Sequence, residues 1–186
     1  MKKKEELPVV DGYEPMKKTI SMMKANLLAI VFFIVFGVLC WWVFGTIWGG
    51  REWRFSFWLV LLLVMGIVVH ELVHGITWLL LLRKGFSHLC FGFLPGGVYC
   101  HIDVPMVKHD YVIGALMPLF LVGVVPLVAS FFTGSYMWLL FGIIMVVSAI
   151  GDIMIVWAIR KESADALIYD HPSEAGCYVY HKTLQP

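Results

Sequence analysis

Val64–Leu80 reads VMGIVVHELVHGITWLL, an apolar run interrupted by His70, Glu71 and His74. Ionisable groups are expensive in hydrocarbon, so three of them within five residues need a compensating partner. The surrounding chain makes hydrocarbon the expected solvent. Of 186 residues, 60% are hydrophobic and only 15% charged, against about a quarter charged in an ordinary soluble domain. The composition is that of an integral membrane protein. A net charge of +1 gives no broad positive field, so nucleic acid is not an expected partner, and the lipid bilayer is.

Working outward, the charge-free stretches set the spans. No charged residue lies between Lys24 and Arg51, which predicts a first helix at about 26–48, with Trp41, Trp42 and Trp48 as interfacial anchors. The head before it, with Lys2, Lys3, Lys4, Lys17, Lys18 and Lys24, is too charged for a cleaved leader. The loop GGREWRFS follows. The run containing His70 forms a second helix, about 57–82, stopped by Arg83 and Lys84. Tyr111–Gly151 is again free of charge and too long for one helix. A break at FFTGSY, 131–136, divides it into helices at about 111–131, bent by Pro118 and Pro126, and 136–159. Between the second and third spans, SHLCFGFLPGGVYCHID places a turn at Pro95-Gly96-Gly97 between two short strands, a β-hairpin-like element at about 88–103.

The expected architecture is therefore an all-α membrane protein of four spans and one hairpin. A basic tail, 1–25, precedes a membrane domain, 26–161, and a polar tail, 162–186, follows. Basic residues sort the loops: Arg83, Lys84, Lys108, Arg160, Lys161 and Lys182 fall on the side of the N-terminal lysines, and Arg51 and Arg54 on the other. The positive-inside rule then places both termini in the cytosol of a prokaryotic cell membrane. Cys90, Cys100 and Cys177 fall on that side and Cys40 in a span, so reduced thiols are expected rather than a disulfide framework.

His70-Glu71-Leu72-Val73-His74 is H-E-x-x-H. Positions four apart on a helix lie about 40° apart, on one face. Two imidazoles so placed can hold Zn²⁺, and Glu71 can take a proton from a water acidified by the metal. A zinc site needs a third protein ligand, and Asp152, in SAIGD, is the one other charged residue within an expected span. His74 precedes Arg83 by nine residues and Asp152 precedes Arg160 by eight. At 1.5 Å per residue both lie roughly 12–14 Å from the basic boundary. Gly75 and Gly151 flank these residues and remove bulk near the site. A haem reading fails, because two histidines on one helix face cannot supply both axial ligands.

HELVHG (70–75), YVIGALMPLFLVGVVPL (111–127), SAIGD (148–152) and DHPSEAGCYV (170–179) resemble the "putative zincin peptidase" family of small prokaryotic membrane proteins. More distantly, the chain is similar to intramembrane metalloproteases of the site-2 protease type. The resemblance implies zinc at His70, His74 and Asp152, Glu71 as the base, and hydrolysis of peptide bonds in membrane-associated substrates. Other functions compatible with the motif are a zinc hydrolase of a non-peptide membrane substrate and a non-catalytic metal-binding scaffold.

His88, Cys90, Cys100 and His101 are read as hairpin side chains in preference to a second zinc site. The hairpin itself offers an edge to an extended substrate. Asp170, His171 and Cys177 are read as part of a Pro172 turn in preference to a Cys/His nucleophile.

Overall fold

The computed structural model describes residues 7–49, 56–94, 97–171 and 174–183. Four helices are long and apolar enough to cross a membrane: Met22–Trp48, Phe57–Leu82, Lys108–Thr133 and Tyr136–Ala158. They identify an integral membrane protein. The first two are unbroken and are called α1 and α2. Ile30, Ile34, Val35 and Val38 of α1 are exposed, an apolar surface suited to acyl chains.

The third span is composite. Lys108–Pro118 (α3) runs into a π-helical segment, Leu119–Val124, and then Val125–Thr133 (α4). Pro118 and Pro126 each remove a backbone donor, and the wider π turn lies between them. The span begins three residues before the expected Tyr111. Gly134, at φ 66°, closes α4, and Ser135 caps the next helix by accepting the Trp138 N–H at 3.4 Å.

The fourth span was expected to be continuous over 136–159, and it is not. Tyr136–Ser148 (α5) and Ile150–Ala158 (α6) meet at Ala149, whose φ −77°, ψ 2° leave the helical region. The break puts Asp152 in the first turn of α6. At the opposite end of α5, Trp48 Nε1 donates to the Phe131 carbonyl at 3.0 Å and Tyr136 Oη to that of Gly49 at 3.2 Å. Trp48 thus fastens α1 to α4.

The expected all-α class is corrected by two small antiparallel sheets. The hairpin is present: Leu89–Leu94 (β2) pairs with Gly97–Ile102 (β3), with Cys90 opposite His101. The second sheet was not anticipated. Tyr13–Thr19 (β1), Gly176–Lys182 (β6), Leu167–Asp170 (β5) and Met106–Val107 (β4) form it in the order β1-β6-β5-β4. Segments read as polar tails thus pair with each other, Tyr13 opposite Lys182 and Thr19 opposite Gly176. Gly176, at φ 146°, is required there, since a Cβ would lie 2.3 Å from the Lys18 carbonyl oxygen. The loop residues 50–55, with Arg51 and Arg54, and the turns at Pro95-Gly96 and Pro172 lie outside the described residues.

The four-stranded sheet closes the end of the bundle where α1 and α3 begin and α2 and α6 finish. Ile102, Met106, Ile159, Ile168 and Val179 are fully buried beneath it and pack with Trp78 and Tyr111. Each aliphatic side chain buried this way contributes roughly 1.5–3 kcal/mol. Lys108 Nζ reaches the carbonyls of Arg160 at 3.1 Å and Glu162 at 2.6 Å, tying the start of α3 to the end of α6. Lys18 of β1 pairs with Glu162.

Close helix contact depends on glycine at one position in these spans and not at another. A Cβ on Gly142 would lie 2.6 Å from the Leu127 backbone, whereas one on Gly151 would meet nothing within 4 Å. Gly142→Ala is therefore expected to destabilise the protein by about 1–3 kcal/mol, and Gly151→Ala to leave it as stable as the wild type. Thermal unfolding in detergent micelles reads both. Equal melting temperatures for the two variants would contradict this packing.

Candidate metal centre

Gly66, His70, His74 and Trp78 repeat every four residues, which places them on one stripe of α2, and all four are buried. Glu71 sits beside this stripe. One ligand atom from each of His70, Glu71 and His74 can be chosen so that all lie within 4.8 Å of one another. Asp152 comes to them from α6. Its Oδ2 is 3.2 Å from His70 Nε2 and its Oδ1 is 3.6 Å from His74 Nε2. The equal depth expected for these residues from sequence matches the contacts. The break at Ala149 starts the turn that delivers the carboxylate.

The two imidazoles are held differently. His74 Nδ1 is 2.9 Å from the Gly114 carbonyl oxygen. A carbonyl only accepts, so Nδ1 carries the proton and Nε2 is left facing Asp152. The His74 ring also stacks on Trp78 at 5.3 Å and 15°. His70 Nδ1 is buried with no hydrogen-bond partner among the described residues. Glu71 and Cys100 of β3 line the same cavity, which puts the hairpin beside the third motif residue.

These donors suit a small divalent cation. Tetrahedral zinc with bonds near 2.0–2.1 Å separates its ligand atoms by about 3.4 Å. Asp152 approaches each imidazole with a different carboxylate oxygen, at 3.2 and 3.6 Å, near enough to join the two histidines about a small cation. A ring whose Nδ1–H is committed to a backbone carbonyl is also oriented as metal-ligating histidines usually are.

A cavity of about 470 Å³ opens on the site. His70, Glu71, His74 and Asp152 line one part, Asn26 of α1 another, and Asp170 of β5 the part nearest the sheet. A train of contacts runs from His74 to that sheet. Trp78 Nε1 donates to the Tyr111 carbonyl at 3.1 Å and its ring stacks on Tyr111 at 5.7 Å; Tyr111 Oη donates to Asp170 Oδ1 at 2.7 Å. Burial pushes the Asp170 carboxyl up to about 7, against the hydrogen bond from Tyr111.

Sequence reasoning missed Trp78, Gly114 and Tyr111. Trp78 was signalled by its position four residues after His74. Gly114 acts through its carbonyl, and the one sequence signal for it is Pro118 four residues on, which lacks a backbone N–H. Gly75 does remove bulk, but for the hairpin rather than a helix: a Cβ there would lie 2.4 Å from Leu89 and 2.8 Å from Cys100 Sγ. Gly151 relieves no helix contact and lines the cavity instead.

The hairpin residues do not gather into a second ligand cluster among the described residues. His88 Nδ1 pairs with Asp103 at 2.7 Å, and burial pushes the Cys100 thiol up to about 12. The Cys177 thiol is likewise raised to about 12 by burial, which removes it as a nucleophile at neutral pH. His171 accepts the Glu174 N–H at 3.0 Å and stacks on Tyr178.

Bilayer-length helices enclosing a His-Glu-x-x-His group define an integral membrane protein with a candidate metallohydrolase centre. Residues 63–167, over half the chain, match the family described as "putative zincin peptidase", and the chain belongs to that family. The family points to a metallopeptidase and implies zinc. No curated protein and no solved structure matches the chain.

The raised Asp170 carboxyl gives a signed pH dependence. Unfolded, it ionises near 3.9; folded, near 7. The native state thus holds a proton that the unfolded state releases, and stability falls as pH rises between about 4 and 7. Asp170→Asn is expected to remove that component, so wild type loses ground to the variant across this window. Melting curves of the two proteins at a series of pH values test it; a constant difference between them would contradict the assignment.

Proposed function

We propose that the protein is an intramembrane zinc endopeptidase that hydrolyses peptide bonds of membrane-associated protein or peptide substrates. The observation that carries this function is the convergence of His70, Glu71, His74 and Asp152 on one cavity between bilayer-length helices. In this scheme His70, His74 and Asp152 hold the metal. Zinc bound there supplies Lewis acidity, acidifying a water and polarising the scissile carbonyl.

The chain's own groups do the rest. Glu71 takes the proton from the attacking water and returns it to the leaving amine. His74 keeps its Nδ1 proton on Gly114 and so keeps its other nitrogen available. The surrounding apolar helices limit bulk water, which strengthens charge interactions within the cavity. Water reaches the site through the cavity from the end that carries the four-stranded sheet, which the positive-inside rule assigns to the cytosol. The β2–β3 hairpin, already against Glu71, is placed to receive an extended substrate segment.

Removing a general base typically costs 10²–10⁴-fold in rate. Glu71→Gln is expected to keep zinc and lose at least about a hundredfold of turnover. Asp152→Ala is expected to lose zinc itself. The measurement is hydrolysis of a panel of reconstituted single-span proteins, read by mass spectrometry of the products, beside zinc content per chain. Full turnover by Glu71→Gln would refute its role as base. Normal zinc content in Asp152→Ala would refute the third ligand.

A further inference from the structure

We infer that Pro118 is a positioning residue for His74, because it leaves the Gly114 carbonyl free to accept the imidazole proton. The inference takes His74 as a site residue from the proposed function, but the hydrogen bond it concerns belongs to the protein with or without metal.

Within an α-helix each carbonyl accepts the N–H of the residue four positions on. For Gly114 that residue is Pro118, which has no N–H. The regular helical bond at Gly114 is therefore impossible. Its carbonyl lies at hydrogen-bonding distance, 2.9 Å, from His74 Nδ1. A buried carbonyl without a partner is costly, so the imidazole and the proline-made vacancy stabilise each other. The same turn shows why position 114 is glycine: a Cβ there would lie 2.0 Å from Trp78 Nε1. Any side chain would push Trp78, and with it the His74 ring stacked on it, out of place. GALMP, 114–118, thus combines close approach at its first residue with a missing donor at its last.

The second proline of the span serves as the control. Pro126 removes its N–H from the turn that includes Val122 in the π-helical segment, which is no part of the bonding of His74. General straightening of the helix would follow from losing either proline, whereas release of His74 would follow only from Pro118.

The test uses the full chain in detergent micelles, prepared metal-free, with ¹⁵N-labelled histidine. The readout is the hydrogen-bonded Nδ1–H resonance of His74, assigned by its loss in His74→Gln. Pro118→Ala supplies an N–H that competes for the Gly114 carbonyl, and is expected to weaken or abolish that resonance. Pro126→Ala should retain it. Lactic acid incorporated at position 118 offers the alanine methyl with an ester oxygen in place of N–H, and should restore it. Titration with Co²⁺ on the same samples is expected to show about a 10–100-fold loss of affinity in Pro118→Ala alone.

An unchanged His74 resonance in Pro118→Ala would overturn the inference. So would equal loss in the alanine and lactate forms, which would assign the effect to the proline ring. A wild type that binds no Co²⁺ would count against the zinc function, while the resonance would still decide the role of Pro118.

Discussion

Polar groups inside a bilayer must find partners inside the protein, and everything else about this chain follows from meeting that requirement around His70, Glu71 and His74. Two imidazoles and a carboxylate on one helix cannot be left facing acyl chains. They are turned inward, where neighbouring elements supply polar contacts. The α6 helix brings Asp152 and α3 brings the Gly114 carbonyl, while Cys100 of β3 lines the cavity with Glu71. Irregular backbone appears where these contacts are made: α5 and α6 are interrupted at Ala149, and a π-helical segment follows Pro118. Backbone that departs from regular helix is tolerated at membrane depth where protein or a cavity covers it, and here it borders the candidate centre.

The four-stranded sheet gives this arrangement a rigid end. Its strands come from before, between and after the membrane helices, so the sheet fixes the start of α1, the start of α3 and the end of α6 relative to one another. Trp78 and Tyr111 carry that rigidity inward, one as the neighbour of His74 and the other as the partner of Asp170. A hydrolytic centre needs groups held to within a fraction of an ångström, and a stacked, hydrogen-bonded train supplies such support more firmly than lipid-exposed helices alone.

Much of this was legible in sequence because hydrocarbon leaves a strong signal. Two charge-free stretches and an apolar run broken only by the motif marked the four spans, and LPGG marked the hairpin. Asp152 stood out as the acidic residue matched in depth to His74, and it lies against both histidines. The sheet was not legible for a physical reason. β1 is an edge strand with Pro15 inside it, mostly exposed and without alternation, and its partner lies more than 150 residues away. The Tyr178-Val179-Tyr180 run did carry a strand signal, but its setting in a polar segment masked it. The break at Ala149 is a backbone event with no residue type to mark it, and the free carbonyl of Gly114 is marked only indirectly, by Pro118 four residues on. Gly151 looked like a helix-packing glycine, yet its value is open space beside Asp152.

The central claim is that the buried cluster is a zinc centre of two histidines and an aspartate. Zinc K-edge X-ray absorption of the purified protein tests it most directly. The account predicts one zinc per chain, with nitrogen and oxygen neighbours at about 2.0–2.1 Å and the outer-shell scattering of two imidazoles. A sulfur neighbour near 2.3 Å, which would bring Cys100 into the ligand set, or protein that retains no zinc at all, would contradict it.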